Sequence, residues 1–111
     1  MNVKELAQNL NCAILAGEDN LDNEVTGGYC GDLLSWVMGR ASAGDAWLTV
    51  MGNVNSIAVA VLADTACIIL TENASLDEDA KNRAEQQGVP ILRSEQNSFE
   101  LAVRLSELLK K

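Results

Sequence analysis

The chain has 111 residues, 48% of them apolar, and a formal charge of −8 from 16 acidic and 8 basic side chains. That length fits one domain over residues 1–111 with one core. The acidic balance, without a dense Lys/Arg stripe, argues against nucleic-acid and anionic-membrane partners.

"NVKELAQNL" reads as a short helix. Asn2 stands as its cap and Glu5 three residues on, in the capping-box spacing. Val3, Leu6 and Leu10 share one face. "CAIL" is an apolar strand, closed by the turn-rich "AGEDNLDN". "EVTGGYC" is extended, and "DLLSWVM" forms one or two helical turns. Within it, Gly27 and Gly28 permit a close backbone approach, so this stretch is either a structural turn or a loop that touches a ligand. Asp32 is placed to cap the helix that follows. The spacing is neither G-x-x-x-x-G-K-[ST] nor G-x-G-x-x-G, so no phosphate-cradling motif is present.

From residue 45 the pattern is regular. "AWLTVM", "CIIL" and "PILR" are strands; "SIAVAVLAD", "LDEDAKNRAEQQ" and "SFELAVRLSELL" are helices. Continuous apolar strands alternating with helices predict parallel pairing with both sheet faces covered. Ser75 with Glu78 has capping-box spacing, and Gly88 and Pro90 close that helix. Asn97 with Glu100 repeats the capping spacing before the last helix. There, Leu101, Leu105 and Leu108 form an apolar stripe joined by Phe99, Ala102 and Leu109. Glu100 to Arg104 and Glu107 to Lys111 are spaced for i,i+4 ion pairs.

"SIAVAVLAD" is apolar all round and must be covered all round. Either it is a central helix, or one face, with Ile57, Val59, Ala60 and Val61, lies in a homodimer interface. Trp36 and Trp47 are expected in the core or an interface.

Three cysteines without C-x-x-C, Cys12, Cys30 and Cys67, are expected reduced and buried. There is no histidine, which removes the commonest general base and metal ligand. "EDNLDNE" puts Leu21 on a ligand position of a calcium loop and lacks its glycine, so no metal is expected. Nor is any cofactor. No apolar run is long enough to cross a bilayer, and "MNVKELAQNL" lacks a signal-peptide hydrophobic region. The expected address is the cytoplasm.

Polar groups gather where strands should end: Thr49, Gly52, Asn53 and Asn55, then Thr71, Glu72 and Asn73, then Ser94 and Glu95. Such ends are where open α/β sheets hold ligands. Asn53 or Asn55 has an alternative role as a helix cap. The expected ligand set is Thr26, Gly27, Gly28, Tyr29, Asp32, Thr49, Gly52, Asn53, Asn55, Thr71 and Asn73. No nucleophile–base pair or paired carboxylates stand out, so no catalytic residues are assigned.

"EVTGGYCGDLLSWVM" and "AGDAWLTVMGNVNSIAVAVLADTACIILTEN" together resemble the DRTGG domain family, over roughly Val3 to Leu109. Thr26-Gly27-Gly28, Asp32-Leu33-Leu34-Ser35, Gly44-Asp45 and Ile68-Ile69-Leu70-Thr71 carry the likeness. Asp22 is present, and Asn23 stands where the family name has its arginine. The resemblance implies a three-layer α/β fold like the N-terminal domain of HPr kinase, with a mainly parallel sheet, helices on both faces and no kinase P-loop. It also implies a regulatory or dimer-forming module, of the kind found beside CBS domains in some pyrophosphatases and in phosphotransacetylase-like proteins. Stand-alone copies are similar to proteins found near iron-hydrogenase genes in anaerobic bacteria. The expected function is therefore a non-catalytic homodimeric module sensing a small ligand such as a nucleotide. A ligand-free protein-interaction adaptor is the alternative, and an enzyme using the strand-end crevice a more remote one.

Overall fold

In the computed structural model, which describes residues 1–110, the chain forms five strands, five α-helices and one 3-10 turn. In chain order these are α1 (Val3–Asn9), β1 (Ala13–Ala16), a 3-10 turn (Glu18–Asn20), β2 (Gly27–Cys30), α2 (Leu34–Arg40), β3 (Asp45–Thr49), α3 (Val54–Ala63), β4 (Cys67–Leu70), α4 (Glu78–Gln87), β5 (Ile91–Arg93) and α5 (Ser98–Leu109). The sheet order is β1-β5-β4-β3-β2. β2, β3, β4 and β5 run parallel, while β1 joins β5 antiparallel with a register shift between Ile14 and Ala16. β2, with its two glycines, is thus an edge strand.

Alternation along the strands builds two cores. Ala46, Leu48, Cys67, Ile69 and Leu92 pack with Val3, Leu6 and Leu10 of the α1 segment and Leu101 and Leu105 of α5. Trp47, Ile68, Leu70 and Ile91 face the other way, onto Val37 of α2, Ile57, Val59 and Ala60 of α3, and Ala80 and Ala84 of α4. Helices cover both faces, the arrangement that parallel pairing demands. Trp47 is fully buried and donates its indole N–H to the Gly31 carbonyl at 2.9 Å, which satisfies its polar atom.

Caps set several boundaries. The Asn2 side chain accepts from the Glu5 amide while Glu5 accepts from the Asn2 amide, a complete capping box. Asn97 accepts from the Glu100 amide. Gly88 ends α4 at φ 68°, in the left-handed region that favours glycine.

Other expectations are corrected. Ser75 and Glu78 form no capping box: α4 starts at Glu78 after Asp77, with no side-chain cap, and the Ser75 carbonyl instead lies against Gly52. Asp32 does not cap α2, whose capping position is Leu33; its carboxylate turns to β3. Phe99 leaves the stripe of α5 for solvent, at 79% exposure, because two residues of helix turn it about 200° from Leu101, onto the face of exposed Val103. Arg104 bonds Gln96 and Asn9 rather than Glu100. The Glu107–Lys111 pair falls on Lys111, outside the described residues. Cys30 is exposed and Cys12 half-buried; only Cys67 is buried. Ile57, Val59 and Ala60 point into the core of their own chain, so of the four residues expected at an interface only Val61 faces outward.

Candidate functional site

The residues expected to bind a ligand divide among separate places. Thr26, just before β2, and Gly27, Gly28, Tyr29 and Cys30 along it form one wall of a groove of about 370 Å³. Ala102, Leu105, Ser106, Leu109 and Lys110 of the α5 segment form the other wall. The glycines explain how the walls meet. A Cβ on Gly28 would stand 2.9 Å from the Leu105 Cδ2, and one on Gly27 would stand 2.7 Å from the Asp45 Oδ1. Small residues here let helix and neighbouring carboxylate approach the strand, a packing reason that needs no positive φ. The Thr26 amide donates to the Gly44 carbonyl at 2.9 Å, which sets the start of β2 beside β3.

Asp32, Thr49, Gly52 and Asn53 occupy the carboxyl ends of β2 and β3, but they are spent on one another and on the loops. Asp32 Oδ1 accepts from the Thr49 hydroxyl at 2.7 Å and from the Val50 amide at 3.0 Å. The Thr49 oxygen in turn accepts from the Met51 amide. The Gly52 carbonyl accepts from the Asp77 amide, and a Cβ on Gly52 would lie 2.1 Å from the Ser75 carbonyl oxygen. Asn53 caps α3 by accepting from the Ser56 amide, the capping role that the sequence left open between Asn53 and Asn55. Asn55 is exposed in the first turn of that helix. Thr71 is fully buried, its hydroxyl 2.8 Å from that of Ser98.

Asn73 belongs elsewhere. Together with Asn11, Arg93, Ser94, Glu95, Gln96 and Arg104 it lines a polar cavity of about 430 Å³ at the carboxyl end of β5. The single crevice expected from the sequence therefore does not form. Its members straddle the sheet, from the β2 edge to the β5 end, with tightly bonded loops between. Sequence reasoning missed Ser106 and Lys110 of the groove, and Asn11, Arg93, Gln96 and Arg104 of the cavity. The one available signal was Arg93, a cation closing an otherwise apolar strand.

The thiols are not tuned for reaction. Although the residue is exposed, partial desolvation of its sulfur, and then the Asp32 charge, raise the Cys30 thiol above its ordinary range. Burial pushes Cys12 up to about 11, against the smaller opposing effect of Arg104. Burial also raises Cys67 strongly. A reactive cysteine needs the opposite shift. Among the described residues, no three His, Cys, Asp or Glu side chains cluster as a metal site, and no helix is long and apolar enough to cross a membrane.

Comparison with known proteins adds the family. A solved structure of the CBS and DRTGG domains of the regulatory region of Clostridium perfringens pyrophosphatase, complexed with the activator diadenosine tetraphosphate, matches with a TM-score of 0.75. The match covers 94% of this chain and 45% of that one, at 10% sequence identity, so the likeness is one of fold. This chain spans less than half the length of that solved chain. No curated relative matches the sequence. The family model of the DRTGG domain matches residues 5–108, nearly the whole sequence, and the chain belongs to the DRTGG domain family.

Proposed function

We propose that this chain is a non-catalytic regulatory module of the cytoplasm that works as a homodimer and takes a small ligand such as a nucleotide. The observation that carries the reading is α2. This helix has seven residues, and only Val37 is buried. An isolated helix of that length is unstable in water, yet Leu33, Trp36 and Met38 on and beside it stand 57%, 52% and 48% exposed. Beside it, α3 exposes Val61 and Leu62. Apolar groups of this size on one helical layer mark an association surface. The Arg40 guanidinium lies 3.9 Å above the Trp36 ring and supplies a cationic rim of the kind found at interfaces.

A second copy is the occupant favoured by the family's dimer-forming character. For the ligand, the groove between β2 and α5 lies within the size range of small-molecule sites. It offers Thr26, Ser106 and Lys110 beside an apolar floor. The DRTGG-containing regulatory region of similar fold has a dinucleotide as its activator, which gives adenine nucleotides first place among compounds to try. At neither cavity does a nucleophile hydrogen-bond a base, which favours the non-catalytic reading.

Light scattering on the purified chain at micromolar concentration tests the dimer. Twice the chain mass is expected, falling to one chain mass in the double variant Trp36→Glu, Leu62→Glu; a monomeric parent protein would sink the claim. Thermal unfolding with adenine nucleotides, diadenosine tetraphosphate included, tests the ligand. A rise in Tm that disappears in Ser106→Phe, which fills the groove, supports it. Dimerisation without any nucleotide response selects the ligand-free adaptor instead.

A further inference from the structure

We infer that the polar cavity at the carboxyl end of β5 is an anion site, in which Arg93 and Arg104 receive an oxyanion, phosphoryl or carboxylate, of a small ligand. This does not rest on the groove between β2 and α5.

Charge is the first reason. The chain has 8 basic residues against 16 acidic ones, yet two arginines line this one cavity. In so acidic a protein, guanidinium groups would be expected to meet carboxylates. Here neither does: the ion pair present among the described residues joins the Met1 amino group to Glu24. Glu95 also borders the cavity, but it is exposed and makes no hydrogen bond to either arginine. Two cations and one solvated anion line the cavity itself, and Glu72 stands in the loop beside it, so the lining gathers the arginines without pairing them.

Geometry is the second. Arg104 is held in place: Nη1 donates to the Gln96 Oε1 at 2.7 Å and Nη2 to the Asn9 carbonyl at 2.8 Å. A guanidinium has five N–H donors, so most remain for a ligand that can accept in the forked manner of a carboxylate or phosphate. Arg93 makes no side-chain hydrogen bond among the described residues, so its guanidinium donors are not engaged by protein groups there.

The third is the backbone around the cavity. Glu72 and Asn73 hold positive φ, at 59° and 54°; Asn11, at 56°, does so as the residue that closes α1, where the Cys12 amide donates to the Ala7 carbonyl. Such conformations persist where surrounding structure enforces them, and they concentrate at binding sites. The enforcement is visible: the Glu72 amide donates to the Gln96 carbonyl and the Asn73 amide to the Ser94 carbonyl, both at 2.8 Å. These bonds clamp the loop after β4 to the loop after β5. A preorganised polar cavity at the carboxyl ends of parallel strands is the place where sheets of this kind take ligands.

The test is an amide NMR titration of the full chain with pyrophosphate and, separately, with succinate. Saturable shifts at Asn11, Asn73 and Ser94 to Gln96 at millimolar concentration are expected with at least one of them. The tighter of the two names the ligand chemistry as phosphoryl or carboxylate. Arg93→Gln should weaken binding at least tenfold while leaving Tm unchanged, and Arg93→Lys should restore part of it. Three outcomes overturn the inference: no saturable shift with either anion, shifts that persist unaltered in Arg93→Gln, or shifts confined to Thr26–Cys30 and Ser106, which would report the other groove.

Discussion

The Asp32 carboxylate accepts a 2.7 Å hydrogen bond from the Thr49 hydroxyl, and this contact ties the loop after β2 to the last residue of β3. Thr49 is 1% exposed. Its hydroxyl therefore depends on Asp32 as acceptor, since a buried donor without a partner carries its full desolvation cost. Asp32→Ala should lower stability by about 1–3 kcal/mol, on the scale of hydrogen bonds to charged groups. Asp32→Asn keeps an acceptor oxygen and should lose less. Urea unfolding of the two variants checks the order, and equal losses would show that the charge alone matters.

At Gly28, a Cβ would come within 2.9 Å of Leu105 Cδ2. Gly28→Ala should destabilise by about 1–3 kcal/mol, as overpacking does. Leu105→Ala should cost about 2–5 kcal/mol by leaving a cavity. Combined, the two should lose less than their sum, because each relieves the other's defect. A double-mutant cycle that comes out additive would place the helix wall of the groove farther from the strand than described.

Two other glycines separate helix propensity from close packing. Gly39 lies within α2 with nothing within 4 Å of its would-be Cβ. Gly39→Ala should raise stability by about 0.5–1 kcal/mol, the usual gain within a helix. Gly52→Ala meets the Ser75 carbonyl oxygen at 2.1 Å. Main chain yields less readily than the end of a leucine side chain, so this substitution should cost more than Gly28→Ala. Thermal denaturation of the variants ranks them directly.

Thiol reactivity should sort by burial. In the native chain, Cys30 alone should react with Ellman's reagent, slowly at neutral pH because its thiol is held above the ordinary range by burial and by Asp32. Cys12 and Cys67 should react only after unfolding. The same shifts make stability depend on pH. A native thiol with a raised pKa stays protonated while its unfolded counterpart ionises, so unfolding releases protons and stability falls as pH rises. For Cys12 the loss should run from about 9, the ordinary value, to about 11. Unfolding free energies measured across this window should decline, and Cys12→Ala should flatten part of the decline.

The layers were legible because each local signal pointed the same way. "AWLT", "CIIL" and "IL" are apolar on both sides, and only a sheet covered on both faces accommodates them. Asn2 and Asn97 announced helix starts with side chains that do accept the expected amide bonds, and Asn53 takes the cap that the sequence left open between it and Asn55. What failed depended on relations between distant residues. Ser75 and Glu78 have capping-box spacing, yet the loop is pulled down onto Gly52 and the helix starts too late for Ser75 to serve it. Asp32 is placed to cap α2, but the neighbouring strand end offers two donors, from Thr49 and Val50. No spacing rule shows that β2 becomes an edge strand, so the two glycines could not be assigned to a groove with α5. Nor does any local pattern unite Asn11, Asn73, Arg93 and Arg104, which meet only when the antiparallel β1 closes against β5.

That antiparallel pairing also joins the two ends of the chain late in synthesis. β1 is synthesised long before β5, its only neighbour in the sheet, where Ala13 faces Arg93 and Ile14 faces Leu92. The early strand therefore has no template while β2, β3 and β4 emerge, and its helix α1 waits for α5 to complete their shared core. Pairings so remote in sequence slow folding. A nascent chain halted before Ile91 would carry an "AILA" segment without its sheet partner until translation moves on.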